Sequence, residues 1–239
     1  MAVEQTIVMT GASRGIGRLA AEHILAEEPG THLVILARGL ADDLAARSRN
    51  VSVIRADLAS LRSTADAAAE VGKRLDAGSL PPVRALVCNA GIQYTNDLTE
   101  TVDGFEATFA VNVLANHVLV RHLHDRLQAP ARIVITVSDT HFGDFRHNLG
   151  MVPGPQWFPA DALARVGTFS NPESTTAGRT AYSTSKLAAI YLVHEYARRL
   201  PSGIAVMGYN PGFVPGTDLA RDADPFSRFA MRRIMPLLT

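Results

Sequence analysis

The sequence is poor in cysteine and has no excess of charge of either sign. Cys88 is the only cysteine, so no disulfide can form within the chain, and a reducing compartment fits. Lysine and arginine together number 23, as do aspartate and glutamate, so no net field exists to attract nucleic acid or an acidic membrane. We therefore expect neither as a partner.

Long apolar runs are also missing. No stretch reaches about 18 consecutive apolar residues, so no membrane-spanning helix is predicted. The chain starts with Met1-Ala2-Val3-Glu4-Gln5, which lacks the basic and apolar regions of a secretory signal peptide. We therefore expect a soluble, cytoplasmic protein, and 239 residues with 47% apolar side chains suffice for one folded domain.

Short apolar segments rich in β-branched residues alternate with longer amphipathic segments along the chain. The predicted strands cover residues 6–10, 33–37, 51–56, 83–88, 132–137 and 204–209. The predicted helices cover residues 15–28, 40–47, 61–75, 102–127 and 181–200. This alternation predicts an α/β fold with a doubly wound parallel sheet, in three α/β/α layers, as a single domain over residues 1–239.

A glycine-rich segment, TGASRGIG, connects the first predicted strand to the first predicted helix. Gly11 permits a tight turn, Gly15 lets the backbone approach a pyrophosphate, and Gly17 allows the helix and strand to pack closely. The helix N terminus then faces the phosphates, which favours a dinucleotide site over an ordinary glycine turn. The predicted cofactor-binding residues of this segment are Gly11, Ser13, Arg14, Gly15, Ile16 and Gly17.

The residues that follow the second predicted strand indicate which dinucleotide binds. An acidic residue about 20 positions after the glycine segment would hold the ribose 2′-hydroxyl of NAD. Here the strand ends in Ala37-Arg38-Gly39, without a carboxylate, and Arg14 supplies a second cation. Guanidinium groups pair with phosphate through charge-assisted hydrogen bonds. We therefore predict NADP(H) over NAD(H), with a solvated surface arginine as the alternative for Arg38.

Tyr182 and Lys186 are four residues apart, so on a helix their side chains share one face. An ordinary phenol has a pKa of about 10, too high for efficient proton exchange at neutral pH. A neighbouring ammonium favours phenolate, and oxidised nicotinamide adds a second positive charge. We predict that Tyr182 donates a proton in carbonyl reduction and accepts one in alcohol oxidation. The alternative is a core tyrosine beside a surface lysine.

Together with Asn89-Ala90-Gly91, Tyr182-Ser183-Thr184-Ser185-Lys186 and Pro211-Gly212, the glycine-rich segment resembles the short-chain dehydrogenase/reductase family. The motifs occur in the family's order over essentially the whole chain. The resemblance implies a Rossmann fold and an NADP-dependent oxidoreductase of class EC 1.1.1.-, acting on a small-molecule carbonyl or alcohol. It implies a catalytic set in which Ser138 orients the substrate oxygen and Asn112 holds a water that relays protons. That set is Asn112, Ser138, Tyr182 and Lys186.

For two members of this set, non-catalytic roles remain as alternatives. Ser138 ends a predicted strand, so its hydroxyl is also suited to capping the strand end. Asn112 falls within a predicted helix, where an exposed asparagine would have no catalytic role.

The resemblance also implies cofactor contacts beyond the glycine-rich segment. Asp57 and Leu58 match the position that meets adenine, although Asp57 is also a candidate helix N-cap. The chain departs from the family pattern at Cys88, at Asp139 and at Gly216, where the family has asparagine, serine and no residue, respectively. The expected contacts are Asp57, Leu58, Asn89, Ala90, Gly91, Tyr182, Lys186, Pro211, Gly212, Val214 and Thr217.

The segment between Ser138 and Tyr182 is much longer than in most family members. This predicted active-site insertion, residues 139–180, resembles the retinol-dehydrogenase-like, protochlorophyllide-reductase-like and monomeric carbonyl-reductase branches. Those branches imply a bulky apolar ketone or aldehyde as substrate, and the insertion favours a monomer or homodimer. The alternative is that its aromatic residues only pack the insertion onto the body of the protein. They are Phe142, Phe145, Trp157, Phe158 and Phe169, with Met151.

Two further predictions concern the C-terminal region and three histidines in the middle of the chain. Residues 213–239 are predicted to form a lid over the substrate pocket, with contact to a membrane surface as the alternative. The family's usual last strand is not visible after Gly212. His117, His122 and His124 lack the spacing and acidic partners of a metal site, so none is predicted. A non-catalytic NADP(H)-binding sensor and a light-dependent reductase remain as alternative functions.

Overall fold

The structure, a computed structural model, describes residues 3–39, 42–148, 150–212 and 214. The strands are β1 (Gln5–Thr10), β2 (Thr31–Ala37), β3 (Val51–Arg55), β4 (Val83–Cys88), β5 (Leu127–Thr136) and β6 (Ile204–Tyr209). They form one parallel sheet in the order β3-β2-β1-β4-β5-β6. The predicted doubly wound sheet is confirmed, and only β5 begins well before its predicted start.

The helices connect successive strands, as the alternating pattern predicts. They are α1 (Gly15–Glu27), α2 (Asp42–Arg47), α3 (Leu61–Asp76), α4 (Ala107–Phe109), α5 (Ala115–Leu123), α6 (Phe145–Asn148), α7 (Ala160–Leu163) and α8 (Thr175–Arg199). A π-helical turn, Ala110–Leu114, joins α4 to α5. Two 3-10 helices, His124–Arg126 and Asp139–Phe142, precede and follow β5 along the chain.

The sheet is covered on both faces, which confirms the predicted three layers. Alternate residues of a strand point to opposite faces, so Val8 packs on one side of β1 and Met9 on the other. The first side is covered by α3, α5 and α8, and the second by α1 and α2. Within the described ranges, no helix is long and apolar enough to cross a membrane.

Helix α8 begins at Thr175, before its predicted start at residue 181. Ser174 caps it, because its hydroxyl accepts a hydrogen bond from the Ala177 amide at 3.2 Å. The first turns carry several threonines and Gly178, which have low helix propensity, so the sequence pattern hides them. The predicted insertion therefore ends inside a helix, and it also contains α6 and α7.

The predicted helix 102–127 is shorter and interrupted. It begins at Ala107 because the buried Glu106 carboxylate accepts hydrogen bonds from the amides of Thr108 and Phe109, at 2.8 and 2.6 Å. The regular helix breaks at the π-helical turn around Asn112 and ends before Leu127, where β5 starts. Apart from Val214, the predicted lid of residues 213–239 lies outside the described residues.

Candidate active site

The strand order reverses between β1 and β4, and ligands of open α/β sheets bind at the carboxyl ends of the strands at such a point. The glycine-rich segment follows β1, and Asn89 follows β4. The side-chain amide of Asn89 donates through Nδ2 to the carbonyls of Thr10 and Gly11 at 3.4 and 3.3 Å. Its Oδ1 atom accepts from the Thr136 hydroxyl at 3.4 Å. Asn89 thus ties together the ends of β1, β4 and β5.

The glycine-rich segment has the shape of a phosphate cradle. Gly11 and Gly15 have φ values of +72° and +56°, which favour glycine. A Cβ on Gly17 would lie 2.2 Å from the Gly11 carbonyl oxygen, so only glycine allows this approach of α1 to the turn. Arg14 makes no side-chain capping bond to α1, and the first turn carries no acidic residue. The residues present in this described segment therefore fit a phosphate group at the helix N terminus.

The residues predicted to hold the adenosine end lie after β2 and β3, on the same edge of the sheet. Arg38 and Asp57 are exposed, and Leu58 is half-buried against the core. Asp57 does not cap α3, since Ser60 does, and its carboxylate accepts from the Ala59 amide at 3.1 Å. The alternative of Asp57 as a helix N-cap is therefore wrong.

Tyr182 and Lys186 are both buried on the inner face of α8. The Lys186 Nζ atom lies 5.6 Å from the centroid of the Tyr182 ring and donates to the Thr136 carbonyl at 2.9 Å. Helix α8 thus brings both side chains to the end of β5, near the segment after β4. The alternative of a surface lysine is wrong, because Lys186 is 3% exposed.

Burial dominates the titration of both groups. It raises the pKa of Tyr182 to about 12, against the opposing effect of a hydrogen bond with the Ser138 side chain. Burial also lowers the pKa of Lys186 to about 8. The expectation that Lys186 lowers the pKa of the phenol is therefore not met by the described chain alone. At neutral pH, Tyr182 carries its proton and most of Lys186 is charged.

Ser138 lies just beyond β5, where its hydroxyl bonds with Tyr182. Its oxygen also accepts hydrogen bonds from the amide and the hydroxyl of Thr140, at 3.4 and 3.1 Å. Ser138 is thereby the N-cap of the 3-10 helix Asp139–Phe142. The capping role and the contact with Tyr182 therefore coexist in one side chain.

Asn112 is buried at the centre of the π-helical turn, so the alternative of an exposed helical asparagine is wrong. Its amide donates to the Ile92 carbonyl and the Ser185 hydroxyl, and its oxygen accepts from the Ile92 amide, each at 2.9 Å. Its main-chain carbonyl accepts from the Asn116 side chain at 2.7 Å. The relay water that the resemblance implies at Asn112 stays a prediction.

Gly91 lies close to the two buried polar groups of this region. A Cβ placed on it would come within 3.5 Å of both Lys186 Nζ and Asn112 Oδ1. These are ordinary contact distances, so they do not by themselves require glycine. The Ala90 amide donates to the Thr10 hydroxyl at 3.0 Å, which holds this segment against the end of β1.

Sequence reasoning did not foresee a bridge between Asp139 and Asn210. The Asn210 amide donates to the Asp139 carboxylate, and its oxygen accepts from the Gly212 amide at 3.1 Å. This chain of bonds links the loop after β5 to the turn at Pro211, which is predicted to receive the nicotinamide carboxamide. Each residue lies within three positions of the end of one of two neighbouring parallel strands, but that placement alone does not identify the pair. Thr217 lies outside the described residues.

The insertion is fastened to α8. The Gln156 amide donates to the Thr184 hydroxyl at 3.0 Å, and the Trp157 ring meets the Tyr191 ring edge-on at 4.8 Å. Phe169 is buried in a cluster with Phe109 of α4. The other aromatic residues of the insertion keep exposed surface: Phe142, Phe145, Trp157 and Phe158.

The histidines of α5 and the following turn form no metal site in the described part of the chain, where no group of three potential ligands occurs. His117 instead bonds through Nδ1 with the Tyr196 hydroxyl at 2.8 Å. Cys88 is buried, and burial raises the pKa of its thiol to about 12, which keeps it protonated and poorly nucleophilic.

Known proteins are similar to this chain in sequence and in fold. A protein-family model described as short chain dehydrogenase matches residues 5–148. The "WW domain-containing oxidoreductase" of Danio rerio is 30% identical over 91% of this chain, which spans 51% of that protein. The "Putative daunorubicin C-13 ketoreductase DnrU" of Streptomyces sp. (strain C5) is 35% identical over 88% of this chain and 66% of that protein.

A solved structure extends the likeness to the fold. The NADPH-bound carbonyl reductase from chicken fatty liver is 22% identical, with a TM-score of 0.64 over 95% of this chain and 86% of that chain. The chain spans about half the length of the first curated relatives that it matches. From the family model, the relatives and the fold, we conclude that the chain belongs to the short-chain dehydrogenase/reductase family of oxidoreductases.

Proposed function

We propose that the protein reduces a ketone or aldehyde with NADPH, with Tyr182 as the proton donor. The observation that carries this proposal is the meeting of Ser138, Tyr182 and Lys186 at the end of β5, beside the glycine-rich segment. A buried phenol that holds its proton at neutral pH is suited to act as an acid. The arrangement therefore favours carbonyl reduction over alcohol oxidation.

In this mechanism, Ser138 donates a hydrogen bond to the substrate carbonyl oxygen and holds it beside the Tyr182 hydroxyl. Bound NADPH supplies the hydride for the carbonyl carbon. Tyr182 gives its proton to the oxygen, and the charged Lys186 stabilises the phenolate that results. Asn112 fixes the π-helical turn against α8 through Ser185 and supports the return of a proton to the site.

The same residues would hold the cofactor. The glycine-rich segment and the N terminus of α1 would bind the pyrophosphate. The riboses would be bound by Lys186 and by the segment Asn89 to Gly91. Arg38 is exposed at the end of β2, and Arg14 precedes α1, so both suit the 2′-phosphate of NADP(H). Asp57 and Leu58 would meet the adenine. We therefore propose NADP(H) over NAD(H).

The proposed substrate is bulky and apolar. Exposed aromatic side chains of the insertion, Phe142 among them, lie in the segment that directly follows Ser138. Aromatic surface beside a catalytic site favours large apolar ligands. The name of the Streptomyces relative assigns to that protein the reduction of the C-13 ketone of daunorubicin, which supports a ketone as the substrate here.

A panel of carbonyl compounds, followed through loss of NADPH absorbance, tests this function. We expect turnover of bulky aromatic ketones, slow or no turnover of small sugars, and a lower KM for NADPH than for NADH. NADPH binding without turnover of any carbonyl would instead support the non-catalytic sensor. A requirement for light would indicate the light-dependent reductase.

A further inference from the structure

The Ser138 hydroxyl has its acceptor positions filled by one neighbour. A serine hydroxyl offers one donor and two acceptor positions. Thr140 approaches Ser138 Oγ twice, with its amide at 3.4 Å and its hydroxyl at 3.1 Å. The hydrogen-bonding capacity that remains to Ser138 is its own proton.

Tyr182 is a neighbour that this proton can reach. The hydrogen bond with the Ser138 side chain lowers the pKa of Tyr182, as a donor to the phenolate would. The Ser138 main chain is held as well, because its carbonyl accepts from the His141 amide at 3.3 Å and contacts His141 Nδ1 at 2.5 Å. Both the position and the polarity of Ser138 are therefore set by the turn that follows it.

We propose that Thr140 is a positioning residue that holds Ser138 as a hydrogen-bond donor, whose single proton faces Tyr182 in the free site and the substrate oxygen when substrate is bound. The inference rests on the proposed carbonyl reduction and names a residue that acts on it through Ser138. If Ser138 could rotate and accept instead, it would lose its stabilising contact with the developing negative charge on oxygen. The Thr140 hydroxyl prevents this, because it occupies the acceptor side of Ser138.

A purely structural role for Thr140 predicts different behaviour. The Thr140 amide alone would suffice to cap the 3-10 helix, and the hydroxyl would then matter only for stability. In that case its loss would affect folding and leave the chemistry of Tyr182 unchanged. The two roles are therefore separated by kinetics rather than by stability.

The test compares Thr140→Val, which removes the hydroxyl but keeps the shape, with Thr140→Ser, which keeps the hydroxyl. We expect Thr140→Val to lower kcat for ketone reduction about tenfold, the equivalent of one hydrogen bond, with little change in KM for NADPH. In alcohol oxidation, the pH at which the rate rises should move upward, because the phenolate of Tyr182 is less stabilised. Thr140→Ser should restore most of kcat.

The background of Ser138→Ala supplies the control. Because Thr140 acts through Ser138, adding Thr140→Val to Ser138→Ala should change kcat less than twofold. Two results would overturn the inference in a wild type that reduces ketones. One is an unchanged kcat and pH profile in Thr140→Val. The other is an equal loss of kcat when Thr140→Val is added to wild type and to Ser138→Ala. A wild type that reduces no carbonyl would overturn the proposed function, and the inference with it. Thermal unfolding of each variant shows whether it is folded.

Discussion

At the scale of single residues, burial decides the charge of the groups in and beneath the active site. Tyr182 and Lys186 are both buried, and burial pushes each toward its neutral form. In the proposed carbonyl reduction, the proton held by Tyr182 is the one that is consumed. The reverse reaction, alcohol oxidation, would need the phenolate, so it would depend on the positive charge of oxidised nicotinamide to lower the pKa of the same group.

A second buried acid lies where α4 begins. Glu106 is 1% exposed, and burial raises its pKa to about 7, with Asp97 adding to the effect and the capping bonds to Thr108 and Phe109 opposing it. Its pKa in the unfolded chain is lower, so the folded state binds more protons between about pH 4.5 and 7. The contribution of Glu106 to stability is therefore lost as the pH rises through this window.

We expect Glu106→Gln to remove this pH dependence. The free energy of unfolding of the variant, relative to wild type, should rise between pH 5 and 7.5 by up to about 3 kcal/mol. Urea unfolding of both proteins at the two pH values measures the difference. Glu100→Gln is the control, because Glu100 is exposed and solvent screens its charge. A difference that does not vary with pH would show that Glu106 is ionised at little cost.

At the scale of elements, α8 carries Tyr182 and Lys186 and lies close to the segment after β4. Gly178 makes this approach possible, since a Cβ there would lie 2.5 Å from both the Asn96 amide nitrogen and the Tyr94 carbonyl oxygen. Both contacts are with backbone, which cannot move aside easily. The start of α8 is therefore set by a close approach of two backbones.

Two helical glycines make a matched pair of substitutions. We expect Gly178→Ala to destabilise the protein by about 1–3 kcal/mol, because the methyl group overpacks the contact. Gly72→Ala in α3 should stabilise it by about 1 kcal/mol, because there the nearest atom is a flexible Arg126 nitrogen 4.0 Å away. Thermal unfolding compares the two. Equal effects would mean that α8 does not need its close approach to Tyr94 and Asn96.

The elements also show why some of the fold follows from the sequence and some does not. The six strands could be predicted because strands buried on both faces are short, mostly apolar runs, such as 33–37. The first turns of α8 could not, because Gly178 serves a tertiary contact at the expense of helix propensity. The π-helical turn at Asn112 likewise depends on bonds to Ile92, which is distant in sequence.

At the scale of the whole molecule, the insertion lies against α8. Gln156 and Trp157 pack on Thr184 and Tyr191, and Arg179 donates to the Met151 carbonyl at 3.0 Å. The family resemblance implies that this helix often forms the interface between subunits. Of the two expected states, monomer and homodimer, the packing favours the monomer.

Light scattering coupled to size exclusion measures the mass directly. We expect a value near the 25.6 kDa of one chain, unchanged by concentration. A mass twice as large would mean that the insertion leaves an interface uncovered or forms one itself. Trp157→Ala should then alter the proportion of dimer only if the insertion itself forms the interface.

The candidate site shows the same division between sequence and structure. Tyr182, Lys186 and the glycine-rich segment could be found from spacing, because their chemistry requires a fixed interval along one element. Thr140 and Asp139 could not be assigned, because their partners depend on how the loops after β5 and β6 turn. The balance between burial and charge at Tyr182 also emerges only in three dimensions.

The most direct test of the account compares Tyr182→Phe with Tyr191→Phe, a control that removes the hydroxyl of an exposed tyrosine on the same helix. The measurement is kcat for NADPH-dependent reduction of a ketone that the wild type accepts. We predict that Tyr182→Phe lowers kcat by about 10²–10⁴-fold, the usual contribution of a general acid, while Tyr191→Phe retains wild-type turnover. Unchanged turnover in Tyr182→Phe would contradict the assignment of Tyr182 as the proton donor.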